Sequence, residues 1–549
     1  MNLVAFGLGV AGAAGVAGAL AGALLRSRWR PVAVGVLTAL VGLGGLLAGS
    51  AALLGESWSA TLPGLFPLGS ARLEVDALSG VFLLLLGTVA GAVGVYSVGY
   101  TAPGGRHATE AGDSHRPSPA GPTTLGAGHH HEAATGTAAG SRTVQAALPV
   151  FVATMMLVPA AGSVTTLLVA WELMALTSLL LVLAEHRLRP AVAEAGAWYA
   201  GMTQAGLAAI LGGLVLFAGE AGGESFTELR SAAAGMPPAV RSLVFVLTFV
   251  GFGSKAGMVP LHVWLPRAHP EAPSHVSALM SAAMVKLGVY GLIRVWFDLL
   301  GGGPRWWGLL VLAAGVLSAL YGVLQASVCT DLKRLLGYST TENVGLILIA
   351  VGAAGMFAAE GDRPLAALLM AAALLHAVNH AAFKALLFLG AGSVLRATGL
   401  RDLDRLGGLV ARMPVTTGLV AFGALAAAAL PPGNGFVSEW LLLQGLIHSL
   451  GGPGSPTVIV AVVMPLAVGA VALTAGLGAA AFVKAFGVGF LARPRSAAAA
   501  AAVESPPSMR AGMGVAGVAC AVLALAPADR KSTRLNSSHL KLSRMPSSA

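Results

Sequence analysis

The feature that most constrains this chain is a repeated one: apolar runs of about 20 residues, the length that crosses a bilayer as a helix, recur from end to end between short polar or Pro/Gly interruptions. About fourteen such spans lie near 3 to 25, 32 to 54, 77 to 99, 146 to 162, 163 to 184, 195 to 218, 242 to 266, 275 to 298, 307 to 328, 335 to 354, 364 to 396, 413 to 450, 457 to 491 and 508 to 527. Charged residues make up only 10% of the chain, where a soluble domain carries about 25%. With 56% apolar side chains and 74 glycines besides, a soluble fold would lack the polar surface to stay dissolved. The expected class is all-α: a polytopic integral membrane protein with about 14 transmembrane helices in a lipid bilayer.

Two spans are interrupted. Residues 242 to 266 contain Pro260, and residues 413 to 450 contain Pro431, Pro432, Gly433, Asn434 and Gly435, so two broken helices are expected near Pro260 and Pro431. Non-helical backbone at membrane depth is tolerated only against protein or a water-filled cavity.

The formal charge of +10 would suggest nucleic acid in a soluble chain. Here the cations sit in short loops, so no nucleic-acid partner is expected and the charges are read as topology. With the N-terminus outside, alternate loops hold Arg26, Arg28, Arg30, Arg106, Arg116, Arg142, Arg187, Arg189, Arg267, Lys333, Arg334, Arg396, Arg401, Arg405, Arg412, Arg493 and Arg495, which is 17. The opposite loops hold Arg72, Arg230, Arg241, Arg305 and Arg363, which is 5. The first apolar run ends in Arg26, Arg28 and Arg30 without a small-residue cleavage site, and reads as a retained helix.

Composition divides the chain into an N-terminal three-helix membrane segment (1–99), a Gly/Ala/His-rich loop expected to be disordered (100–145), a core (146–496), a C-terminal membrane helix (497–529) and a tail (530–549) unlike the rest. His107, His115, His129, His130 and His131 fall in the loop, where a solvated role is expected over a metal tract. The serine- and cation-rich tail looks non-native and is set aside from fold reasoning; the native C-terminal segment is expected to be missing. Cys329 and Cys520 are too few and too far apart for a cluster or a disulfide framework. Gly7, Gly9 and Gly12 match a dinucleotide fingerprint but lie inside an apolar span with no preceding strand. His262, His269 and His275 flank the 266 to 274 loop, where proton entry or helix capping is expected ahead of a metal; Lys484 suits an anchor or a relay equally. No cofactor or metal is expected in this chain.

Ionisable residues inside spans carry most of the functional information, because each costs about 2.5 to 3.5 kcal/mol at a helix centre and persists only when paired or hydrated. Glu172 lies near the midpoint of its span, Lys255 five residues before Pro260, and Lys286 at the middle of 275 to 298. His376, His380 and Lys384 are spaced four apart and so share one helix face. Glu439 follows the second break. Five spans thus offer acid, base, base, His/Lys and acid at similar depth, as a proton relay requires. A Glu–Lys pair about 4 Å apart at an effective dielectric of about 20 is worth roughly 4 kcal/mol, enough to move a lysine pKa by about three units.

The strings GSKAGMVPLHVWLPRAHPEAPSHVSALMSAAMVKLGVYGLIRV and LLHAVNHAAFKALLFLGAGSV resemble the antiporter-like proton-translocating subunits of respiratory complex I, Mrp-type sodium/proton antiporters and membrane-bound hydrogenases. The resemblance spans roughly residues 80 to 495. STTENVGLI, LPPGNGFVSEWLLLQ and FVKAFGVGFLARPRS look most like the branch of hydrogenase-4 component B and formate hydrogenlyase subunit 3. The resemblance implies a gating pair at Glu172 and Lys255, a central proton-passing lysine at Lys286, the His/Lys helix at His380 and Lys384, and an exchanging acid at Glu439. Glu342 and Asn343 mark the branch, with no role assigned. It further implies proton translocation in the bacterial cytoplasmic (inner) membrane, with other membrane subunits of a hydrogenase or complex I-like assembly and a peripheral redox module as partners. An Mrp-type Na+/H+ antiporter subunit and a non-conducting scaffold for a redox module are the alternatives.

Overall fold

A computed structural model describes residues 2–66, 69–102, 139–186, 189–449 and 457–525. The five loop histidines and the 530–549 tail lie outside the described residues. The spans form α1 (Leu3–Leu24), α2 (Arg30–Leu53), α3 (Ala77–Tyr100), α4 (Arg142–Ala160), α5 (Val164–Val182) and α6 (Pro190–Ala221). A short surface helix, α7 (Phe226–Ala232), leads to α8 (Pro238–Ala256), the short α9 (Leu265–Glu271) and α10 (Ser274–Leu299). The chain continues through α11 (Arg305–Val328), α12 (Leu332–Ala359), α13 (Arg363–Thr398), α14 (Pro414–Ala427), α15 (Asn434–His448), α16 (Val458–Phe490) and α17 (Pro507–Leu525).

Thirteen of these described helices are long and apolar enough to cross a membrane. The halves α14 and α15 supply a fourteenth crossing, broken where the run of prolines and glycines predicts it. The other expected break falls between α8 and α9, where Gly257 closes α8 in the left-handed conformation (φ 80°) that costs glycine no Cβ clash.

An element absent from the sequence reading is a hairpin, β1 (Trp58–Phe66) and β2 (Gly69–Val75), antiparallel with Trp58 opposite Val75 and Leu62 opposite Ala71. It roofs one end of the bundle, where the Arg72 amide donates to Thr166 Oγ1 at 2.9 Å.

Small residues let neighbouring helices touch backbone to backbone. A Cβ at Gly42 would stand 2.7 Å from the Gly87 carbonyl oxygen, and one at Gly87 would stand 2.6 Å from that of Gly42, so α2 and α3 meet with no room for a side chain. Gly315 and Gly345 bring α11 and α12 together in the same reciprocal way. Burial then grades from rim to centre: α1, α6, α16 and α17 keep broad apolar faces outward, whereas α10 is buried along its whole length and α12 along most of it. The midspan lysines and histidines of α10 and α13 are therefore held in the protein's interior and not against lipid.

Ion pairs tie each end of the bundle to itself. At the hairpin end, Arg294 bonds Asp76 at 2.6 Å and Asp298 at 2.7 Å, and Arg230 joins Asp298 at 2.9 Å to Glu74 at 3.0 Å. At the other end, Glu271 lies between Arg189 and Arg401, Arg189 also bonds Glu185, and Arg401 bonds Asp331 at 2.6 Å. Each network joins only loops that the span count assigns to one side.

Asp76 caps α3 by accepting from the Ser79 amide at 2.9 Å. Burial pushes its carboxyl up, but the Arg294 charge and hydrogen bonds outweigh this and hold it well below the usual carboxylate range. A depressed folded-state value contributes stability that is present above the unfolded value and lost as pH falls through the folded one. Thermal melts of purified protein in detergent should therefore show Asp76→Asn less stable than wild type at neutral pH, with the gap narrowing in acid. A gap that stays constant as the medium is acidified refutes this account.

Candidate functional site

The centre of the site is set by an irregular helix. Met280–Met284 in α10 forms a π-turn, which widens the ring and loosens the backbone ladder, a distortion common at functional positions. Two residues beyond it, the Lys286 ammonium reaches back and donates to the Ser281 carbonyl at 2.6 Å. Lys286 has no exposed surface, so this bond and the surrounding dipoles replace its water.

From Ser281 a line of polar groups runs across four helices, α10, α12, α13 and α15. The Ser281 and Thr340 hydroxyls share a hydrogen bond at 2.7 Å, and Thr340 donates to the Leu336 carbonyl at 2.9 Å. Lys384 of α13 donates to that same carbonyl at 3.3 Å and also to the Ser339 hydroxyl. Asn343 donates to the Ser339 carbonyl at 2.8 Å and meets the His376 ring nitrogen Nε2 at 3.2 Å through its own Oδ1. The other nitrogen of His376 lies 2.9 Å from the Ser438 hydroxyl of α15. Asn379 then donates to Ser438 at 3.0 Å and to the Asn434 carbonyl at 2.8 Å, at the first turn after the second break. A nearly continuous polar path thus links Lys286 to the broken α14–α15 helix.

His380 stacks 6.3 Å from His376, with both ring nitrogens buried and unbonded. It lies within electrostatic reach of Lys286 and Lys384. Glu439, next to Ser438, is buried with Oε2 unpartnered. Lys286, His376, His380, Lys384 and Glu439 thus gather in one interior built from α10, α12, α13 and α15.

Glu172 and Lys255 stand to one side and do not pair. Glu172 is half-buried on α5 and accepts from Gln204 of α6 at 3.1 Å. Lys255 donates to the Tyr199 hydroxyl at 2.9 Å, and Tyr199 also bonds the Ser178 hydroxyl at 2.5 Å. Beyond Tyr199 lies the Met284 sulfur at 3.5 Å, a weak acceptor with no proton of its own. On the Lys255 side the hydrogen-bonded groups therefore end at a thioether.

Sequence reasoning missed Tyr199, Ser339, Asn379, Ser438 and the Asn343 amide as links. Its one available signal was the polar cluster S-T-T-E-N in the middle of an apolar run. The loop histidines do not converge: His262 packs on Tyr321, His269 on Phe388 and His275 on Tyr100. Lys484 donates to the Ser327 and Cys329 carbonyls, at 2.5 and 2.9 Å, and so caps the end of α11. Lys333 likewise donates to the Pro270 and Ala272 carbonyls beside Glu271, roofing the interior at the arginine-rich end.

With this geometry in place, comparison with known proteins is informative. The family described as "NADH:quinone oxidoreductase/Mrp antiporter, TM" matches residues 161–464. The chain is 55% identical over 497 residues to an uncharacterized protein of Mycobacterium tuberculosis, covering 90% of this chain and 71% of that one. It is 43% identical over 378 residues to hydrogenase-4 component B of Escherichia coli, covering 68% of this chain and 55% of that protein. Among solved structures, the Mrp complex from Dietzia contains a chain that superposes with a TM-score of 0.73 at 27% identity, covering 95% of this chain and 50% of that one.

The Asn379–Asn434 contact carries a stability expectation. Asn434 also donates back to the Asn379 carbonyl and side chain, each at 3.2 Å. Asn379→Ala leaves buried partners on α15 unsatisfied, at about 1–3 kcal/mol. Its thermal unfolding midpoint in detergent should fall clearly below wild type; an unchanged midpoint would remove Asn379 as the tie between α13 and α15.

Proposed function

Because the chain belongs to the NADH:quinone oxidoreductase/Mrp antiporter transmembrane family, we propose that it moves protons across the bacterial cytoplasmic membrane through the interior path centred on Lys286. It is an antiporter-like subunit of the superfamily that unites hydrogenase, complex I and Mrp assemblies, and its relatives work beside other membrane subunits. The observation that carries the proposal is the hydrogen-bonded line from Lys286 through Thr340, Lys384 and His376 to Asn434. Packing alone does not account for such a line, since burying these groups costs more than filling the same volume with apolar side chains.

In this reading Lys286 holds the proton at the centre, and Lys384, His376 and His380 pass it toward the second break. Glu439 exchanges it there. Glu172 and Lys255, apart in this structure, come together to bias the central lysine: a carboxylate approaching Lys255 favours its charged form and one withdrawing favours release. A membrane potential does about 2.3 kcal/mol of work on each proton per 100 mV, similar to the strength of one such pair, so small side-chain displacements suffice to couple the two. Electron transfer belongs to partner subunits of a hydrogenase or complex I-like assembly and its peripheral module.

A cation/proton antiporter reading has the Dietzia Mrp likeness in its favour. Sodium-dependent pH changes in vesicles would select it. The third reading, a scaffold without conduction, requires that the interior path be dispensable.

Reconstituted assembly with Lys286→Ala should keep electron transfer between partners while proton uptake falls roughly 100-fold, the scale of losing a proton-transfer group. Undiminished uptake would leave only the scaffold reading. Lys255→Ala and Glu172→Ala should each lower uptake in the same assay without abolishing assembly, and wild-type rates in both would remove the gating pair.

A further inference from the structure

Glu342 is a buried carboxyl that the line of hydrogen bonds does not use. It sits on α12 one turn beyond Ser339, the hydroxyl that accepts from Lys384, and residues three apart on a helix share a face. Its neighbour Asn343 is bonded to His376, so the carboxyl lies beside the path without belonging to it. Only 3% of Glu342 is exposed, and Oε2 has no hydrogen-bond partner. It forms no ion pair among the described residues, yet the charges that act on it are Lys384 and Glu439. The surrounding helices leave it room: Gly322 of α11 passes against its backbone, and a Cβ at Gly478 of α16 would stand 3.0 Å from Oε1. An acid kept in a membrane interior without a partner gives no structural return for its burial, which points to a role in transport.

We propose that Glu342 binds the transported proton between Lys384 and Glu439. The inference rests on the relay reading above. In the first step an N–H bond of the Lys384 ammonium breaks and an O–H bond forms on the Glu342 carboxylate, leaving a neutral amine and a neutral acid. In the second, that O–H bond breaks as one forms on the Glu439 carboxylate, and Glu342 returns to its anion. Lys384 regains its proton from the Lys286 side. The path therefore turns out of the central axis between α12 and α16 before reaching the broken helix.

The test uses the intact assembly in proteoliposomes, with proton transport and electron transfer measured together for wild type, Glu342→Gln, Glu342→Asp and Lys286→Met. Glu342→Gln, nearly isosteric, should assemble and transfer electrons but lose proton transport roughly tenfold or more, and Glu342→Asp should recover most of it. Wild-type transport in Glu342→Gln with none in Lys286→Met overturns the Glu342 step and leaves the relay standing. Wild-type transport in both overturns the relay itself. Should Glu342→Gln fail to assemble, wild-type protein decides: a hydrophobic carbodiimide adds to protonated carboxylic acids, and peptide mass spectrometry should find the adduct on Glu342. An unlabelled Glu342, with other buried carboxyls of the chain labelled, overturns the proposal.

Discussion

Inside a bilayer no water waits to satisfy a polar group, so every donor and acceptor carried to that depth must find its partner in the protein. That requirement shapes the interior of this chain. Lys286 bonds a carbonyl inside the π-turn that precedes it, Lys384 bonds a carbonyl and a hydroxyl on α12, and His376 is held between an amide and a hydroxyl from two other helices. Satisfying these groups one after another is what lines them up. The same condition holds for α10, the most enclosed span, whose Lys286 is surrounded by helices that can answer it.

Much of this was legible in the sequence because the signals are large. A charged residue in an apolar run is a violation worth several kcal/mol, and prolines followed by glycines cannot continue a helix. The spans, both breaks and the presence of Lys286, His380 and Glu439 inside spans could be read on those grounds. The linking residues could not. Serine, threonine and asparagine barely disturb a hydropathy profile, so Ser339, Asn379 and Ser438 look like ordinary helix residues until three helices are placed side by side. The π-turn before Lys286 has no proline or glycine to announce it. Distances between helices are likewise invisible in one chain, which is why Glu172 and Lys255 can be matched by type and still stand apart. The hairpin escaped because a membrane reading weighs only runs long enough to cross.

The two ends of the bundle differ in how they are held. At the hairpin end, Arg294 and Arg230 fasten α3, α7, α10 and β2 through Asp76, Asp298 and Glu74. At the opposite end, Glu271 at the close of α9 is fixed between arginines from two other segments. The second network lies over the short α9, which follows one break and leads directly into α10. Motion of that short helix would be felt by the lysine at the centre of α10.

An uninterrupted wire of exchangeable protons from one face to the other would discharge the membrane that it is meant to serve. In the transport proposed above, the thioether of Met284, seated beyond Tyr199 and on the same π-turn that precedes Lys286, is one place where no exchangeable proton is offered. Sulfur there has nothing to hand on, so the proposed passage from the Lys255 side to the Lys286 side requires side chains or water to rearrange around it. In the proposed transport, insulation at such a point makes conduction controllable, in the way that an escapement lets a spring drive a clock one tooth at a time.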